Sequence, residues 1–349
     1  MQQSSKGDGS LIILALLALV VGAAAGLVGG IFRLALEQAD RLRNLLIGWA
    51  HVQGIAGLLF VVVSCSVATF IAAWLVRRFS PHAAGSGIPH VEAVLRAQLP
   101  PAGYGLAPVK FVGGVLAIGS GLALGREGPS VQMGASLAIL IGRAFRRGWP
   151  DCRVLLAAGA GAGLATAFNA PLAGAVFVLE ELVQRYEHRI AIAALAASAT
   201  AIAVARMLLG DGPDFHVGTL GNADPETRPL FFILGGLAGL LAIAYNRTLL
   251  ATMAAAERLV RLPVEARAGL IGAAVGGLAW FAPGLVGGGD DITQRTLAGA
   301  DTLVFVSAVF VIRFGLGAVS YAAGTPGGLF APLLVLGAQF GLLFGAACA

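Results

Sequence analysis

The chain has 349 residues, 58% of them hydrophobic and 12% charged, and a mean hydropathy of +0.86. These values exclude ordinary soluble domains and fit a membrane protein. The net charge of +5 rests on 23 Lys and Arg against 18 Asp and Glu. The basic residues fall in short clusters such as Arg77-Arg78, Arg143 to Arg147 and Arg258 to Arg267, a pattern of loops touching lipid headgroups that excludes a nucleic-acid-binding stripe.

Residues 1–10 read as a polar start, followed by an apolar run too long for a signal-peptide core, which we take as the first membrane helix. Uncharged stretches run from Ser10 to Phe32, Asn44 to Val76, Val154 to Leu179, Ala268 to Gly289 and Phe314 to Ala349. Each suffices for a hydrocarbon core, which takes about 20 apolar residues. Apolar segments centre near residues 20, 64, 116, 136, 162, 176, 198, 240, 273, 308, 320 and 340. They are continuous rather than alternating, which excludes an outer-membrane barrel and predicts an all-α polytopic bundle. Several are too short to span, and Leu106 to Leu179 carries Lys110, Arg126, Glu127, Pro129 and Pro171 between Gly-rich turns. Irregular backbone at membrane depth must face protein or water, so this region predicts broken and half-spanning helices. The 50 glycines predict close helix contacts.

Taken along the chain, the first chemical motif is Gly85-Ser86-Gly87-Ile88-Pro89. Its glycines free the backbone and its proline suits a helix start. The Ser86 hydroxyl and the N–H groups of Gly87 and Ile88 can face an anion; Ser86 as a simple helix cap is the alternative. Gly125-Arg126-Glu127-Gly128-Pro129 places an acid and a base in apolar surroundings, where each ionised group costs about 2.5 to 3.5 kcal/mol on insertion scales. A carboxylate at a helix start can occupy an anion site and serve as a protonatable gate, with Arg126 and Lys110 tuning the potential; a surface pair of Arg126 with Glu127 is the alternative.

Gly159 to Gly163 reads GAGAG, but no strand precedes it and no Lys follows, so helix packing is favoured over a phosphate loop. Glu180-Glu181 ends a later helix, either as solvated acids or as a proton-access point. Near the end, Gly324-Thr325-Pro326-Gly327-Gly328-Leu329-Phe330-Ala331-Pro332 supplies another flexible turn, from which the Leu329 and Phe330 N–H groups can face the same anion from the opposite side. Cys65, Cys152 and Cys348 lack metal-ligand spacing, the five His are scattered, and no Ser-His-acid set is present. We therefore expect no metal, no cofactor and no enzymatic activity.

The chain also repeats itself. Gly22 to Leu42 resembles Gly235 to Leu259, Gly85 to Leu95 echoes Gly287 to Leu297, and GREGPSVQMGA from Gly125 parallels GTPGGLFAPLLVLGA from Gly324. This gives a first membrane repeat over 11–208, a connecting loop over 209–229 and a second, incomplete repeat over 230–349. Duplicated units with broken helices are a transporter signature, with the site between the repeats. Copy two lacks a counterpart to residues 149–208, and the chain stops inside an apolar run, so the last helices are expected to be missing.

GSGIP, GREGP, GAGAGLATAFNAPLAGAVFVLEEL and GTPGGLFAP, in this order and spacing, resemble the CLC family of chloride channels and chloride/proton antiporters, in its prokaryotic form. The resemblance implies an inverted-repeat helical fold in the cytoplasmic (inner) membrane, multi-pass and usually homodimeric, with chloride and protons as the transported species and the lipid bilayer as surroundings. It implies Ser86, Leu329 and Phe330 as anion ligands, Glu127 as gating glutamate and Glu181 as internal proton-transfer glutamate. Serine at 86 resembles the chloride-preferring members, and an acid at 181 resembles exchangers rather than channels. The family's central tyrosine has no equivalent at Tyr104, Tyr186, Tyr245 or Tyr321. The sequence reading is therefore a chloride/proton antiporter, with a passive anion channel or a non-transporting scaffold as alternatives.

Overall fold

A computed structural model describes residues 4–218, 227–258 and 262–348, with side chains from Leu11 onward in the first helix. The first three residues of the expected polar start, residues 219–226 of the expected connector, 259–261 and Ala349 lie outside the described residues. Among the described residues there are thirteen α-helices and no named strands. The all-α polytopic expectation holds, and eight helices are long and apolar enough to cross a membrane.

The first helix is longer than the sequence suggests. Helix α1 runs unbroken over Ser4–His51, because the Arg33, Glu37, Asp40 and Arg43 run that follows the apolar stretch continues the helix, with Arg33 pairing to Glu37 and Arg43 to Asp40 one turn apart. Helix α2 spans Ile55–Phe79. The short α3 (Ile88–Leu95) and α4 (Leu106–Gly119) lead to α5 (Glu127–Ala144), α6 (Trp149–Phe168) and α7 (Pro171–Phe177). A π-helical turn over Val178–Val183 then precedes α8 (His188–Leu209). After the connector come α9 (Arg228–Arg258), α10 (Val264–Phe281), the short α11 (Asp290–Leu297), α12 (Leu303–Tyr321) and α13 (Phe330–Cys348). The apolar segments expected near 308 and 320 are thus one helix, whose interrupting Arg313 is fully buried.

One core joins α1, α3, α5, α6, α7 and α8; a second lies between α1, α2, α4 and α10. Helix α6 is the most enclosed, and its GAGAG run is packing surface, as expected. A Cβ on Gly134 of α5 would lie 2.2 Å from the Gly159 carbonyl oxygen of α6, and one on Gly163 would lie 2.1 Å from that of Ser130. Only glycine permits this approach, which fixes the depth of α5 and hence of its first residue, Glu127.

Two helix starts, one on each side of the connector, resemble each other. Helices α3 and α11 are both eight residues long, and each follows a left-handed glycine, Gly87 (φ 85°) or Gly289 (φ 99°). Behind each turn stands one fully buried cation. The Lys110 Nζ donates to the carbonyls of Ala83 and Gly85 at 3.1 and 2.6 Å. The Arg313 guanidinium donates to those of Leu285, Gly287 and Gly288.

Candidate functional site

Three motif turns, far apart in sequence, are laced together by backbone hydrogen bonds. Gly85 N–H donates to the Thr325 carbonyl at 3.0 Å, and Gly327 N–H donates back to the Gly85 carbonyl at 3.0 Å. Gly125 and Gly328 exchange N–H donations at 2.7 and 2.8 Å. The turns 85–89, 125–129 and 324–332 therefore form one unit. From it, α3, α5 and α13 all depart with their N-termini at the shared centre, so partial positive charge collects there without a full cation at the surface.

Glu127, first residue of α5, is buried. Its carboxyl lies against the backbone N–H groups of its own residue and of Ala331 in the first turn of α13. It thus lies between two helix starts. Among the described residues its Oε2 has no hydrogen-bond partner. Ser86 packs against the start of α5, since a Cβ on Gly128 would lie 2.4 Å from its hydroxyl oxygen. Gly87 is buried, and Ile88 opens α3 half-buried. Leu329 is half-buried, while the Phe330 ring is exposed and meets Phe168 edge-on at a 4.6 Å centroid distance.

One alternative reading falls, and one expected residue has an added part. Arg126 forms no ion pair with Glu127 among the described residues; it bonds to Asp290 at 3.0 Å and reaches Asp214 at 3.6 Å. Lys110, expected to tune the potential, is also a mechanical tie, because its ammonium holds the carbonyls that precede Ser86. Glu181 is exposed beside Glu180 on the π-helical turn. That turn is joined to the end of α3 through the Arg96–Gln184 hydrogen bond.

Sequence reasoning leaves Tyr321 out of the site, finding it not equivalent to the family's central tyrosine. As the last residue of α12, it places its hydroxyl 3.4 Å from the Ser86 backbone N–H, which donates to it. Its O–H proton is left for a further acceptor. No linear signal pointed there, since the contact joins residues 235 positions apart. Outside Glu127 lies a cavity of about 740 Å³, reached past Arg33, Arg126, Asp214 and Asp290.

The family described as "Voltage gated chloride channel" matches residues 67–349. The chain belongs to this family. It is 36% identical to the H(+)/Cl(-) exchange transporter ClcA of Cronobacter sakazakii, over 100% of this chain and 76% of that relative. It is 34% identical to ClcA of Klebsiella pneumoniae, over 97% of this chain and 73% of that relative. Among solved structures, a slow cyanobacterial Cl-/H+ antiporter superposes with a TM-score of 0.91 at 30% identity, covering 96% of this chain and 79% of that one. A CLC-type fluoride/proton antiporter superposes with a TM-score of 0.82 at 24% identity, covering 96% and 82%, and shows the shared fold. This chloride-channel-family chain is thus a multi-pass membrane protein of transporter kin.

Proposed function

We propose that the chain exchanges chloride for protons across a cytoplasmic membrane, with Glu127 as the gate. The observation that carries this reading is the position of the Glu127 carboxyl, buried against the starts of α5 and α13, with the Ser86 turn packed on the neighbouring Gly128. An ionised carboxylate and a chloride ion compete for the same N–H groups. Protonation removes the carboxylate's claim on them, so the side chain leaves and an anion takes its place. Chloride is held by the Ser86 hydroxyl with the N–H groups of Gly87, Ile88, Leu329 and Phe330. Binding by dipoles and hydroxyls rather than by a salt bridge lets the anion leave again, as turnover requires. Lys110 and Arg126 add positive potential from behind and beside the site.

Protons reach Glu127 from the other face through Glu181, whose exposure on the π-helical turn suits collection from water. The pairing of α3 with α11, and of Lys110 with Arg313, supports the division into a repeat over 11–208 and a second over 230–349. The homodimer rests on family kinship. The test is reconstitution into liposomes with a chloride gradient. An exchanger drives protons uphill when chloride flows; chloride flux without proton movement identifies a passive channel instead.

A further inference from the structure

The cavity outside Glu127 presents a puzzle for an anion path. Four arginines line it, but so do five carboxylates besides Glu127, so the approach to the site is not positive. A mouth of that charge repels chloride unless an acid is moved aside. One of these acids lies outside the helices. Asp214 belongs to the strap over 210–218 between α8 and α9. Its side chain is 10% exposed and bridges two guanidinium groups, Arg33 at 2.5 Å and Arg126 at 3.6 Å. No helix or strand holds the strap; it is fastened at its two ends by side chains. Asn169 donates to the Gly212 carbonyl at 3.1 Å. Gln294 of α11 accepts from the His216 N–H at 2.8 Å and donates to its carbonyl at 2.9 Å.

Arg33 and Arg126 come from α1 and from the turn entering α5, and both are mostly buried, with 22% and 16% of their side chains exposed. Two converging guanidiniums that share one oxyanion form an anion seat, although each also holds a carboxylate of its own, Glu37 on Arg33 at 3.1 Å and Asp290 on Arg126 at 3.0 Å. Arg126 is also the residue next to the gate. We propose that Arg33 and Arg126 form an outer anion station, and that Asp214 is its tethered occupant, which chloride displaces on the way to Glu127. The strap then acts as an electrostatic latch, a competitor in the outer position as Glu127 is in the inner one. This inference rests on the exchanger reading for its place in the cycle.

The test uses the full chain in planar bilayers, where chloride on each face is set separately and the half-saturating concentration is read for each. Asp214→Asn removes the competitor and should lower half-saturation about threefold to tenfold on the strap-bearing face. The opposite face and the proton-to-chloride ratio should not change. Asp214→Glu keeps a carboxylate and should restore the wild-type value. Gln294→Ala keeps every charge but frees the strap, and should shift the same face in the same direction even where Asp214→Asn folds poorly. Two outcomes overturn the latch: wild-type exchange with no shift in either variant, or an equal shift on both faces, which marks a general structural effect. Absence of proton-coupled flux in the wild type overturns the exchanger reading separately. The station is then read by calorimetric chloride titration of purified protein, where Asp214→Asn must bind more tightly than wild type and equal binding refutes the station.

Discussion

The contact between α5 and α6 sets where the gate stands, and substituting Gly134 perturbs it without touching the site. A methyl group there lies 2.2 Å from the Gly159 carbonyl oxygen. Ordinary contact begins near 3.4 Å, so the helices must separate by about 1 Å. The clash is with backbone rather than with a side chain that can rotate away. Overpacking of this kind costs about 3 kcal/mol at the upper end of its usual range, and the helical preference of alanine over glycine returns about 1 kcal/mol. Gly134→Ala should therefore lose about 2 kcal/mol net. Gly277 of α10, with no atom of the described residues within 4 Å of its would-be Cβ, is the matched control, and Gly277→Ala should gain about 0.5 to 1 kcal/mol. Thermal unfolding in detergent, followed by size-exclusion of the surviving fraction, compares the two. Chloride titration should also show weaker binding in Gly134→Ala, because α5 carries Glu127. If Gly134→Ala melts at or above the wild-type temperature, the close-packing argument is wrong.

Two further substitutions probe the site itself. Tyr321→Phe removes the hydroxyl that accepts the Ser86 N–H; a lost hydrogen bond of about 1 kcal/mol should weaken chloride binding by roughly fivefold, and unchanged calorimetric affinity would exclude Tyr321 from the site. Glu181→Gln should stop proton movement while leaving chloride affinity near wild type; protons still moving at the wild-type ratio would reduce Glu181 to a solvated acid at a helix end.

Much of the centre was legible because it is encoded locally. Gly85, Gly125 and Gly324 with their prolines announce turns into helix starts, and their order announced the family. The GAGAG run at Gly159 was read as packing because nothing around it supports a phosphate loop, and the contacts with Gly134 and Ser130 agree. What was not legible depends on distance in the chain. Counting uncharged stretches missed that α12 spans the membrane zone with Arg313 inside it, because the carbonyls that satisfy Arg313 come from residues 285–288. The length of α1 was hidden because its charged second half is held by ion pairs within the helix and by Asp214, 181 positions away from Arg33. Tyr321 and Asp214 reach the site or its mouth only through the packing of the two halves, and no pattern in either neighbourhood marks them.

In the proposed cycle one carboxyl, Glu127, occupies the anion's place and couples its departure to a proton. Chloride-driven proton uptake by liposomes containing Glu127→Gln tests it most directly, since the amide keeps the shape of the protonated acid and cannot release a proton. Proton uptake should disappear while chloride still flows. Proton uptake at the wild-type rate and ratio in Glu127→Gln would contradict it.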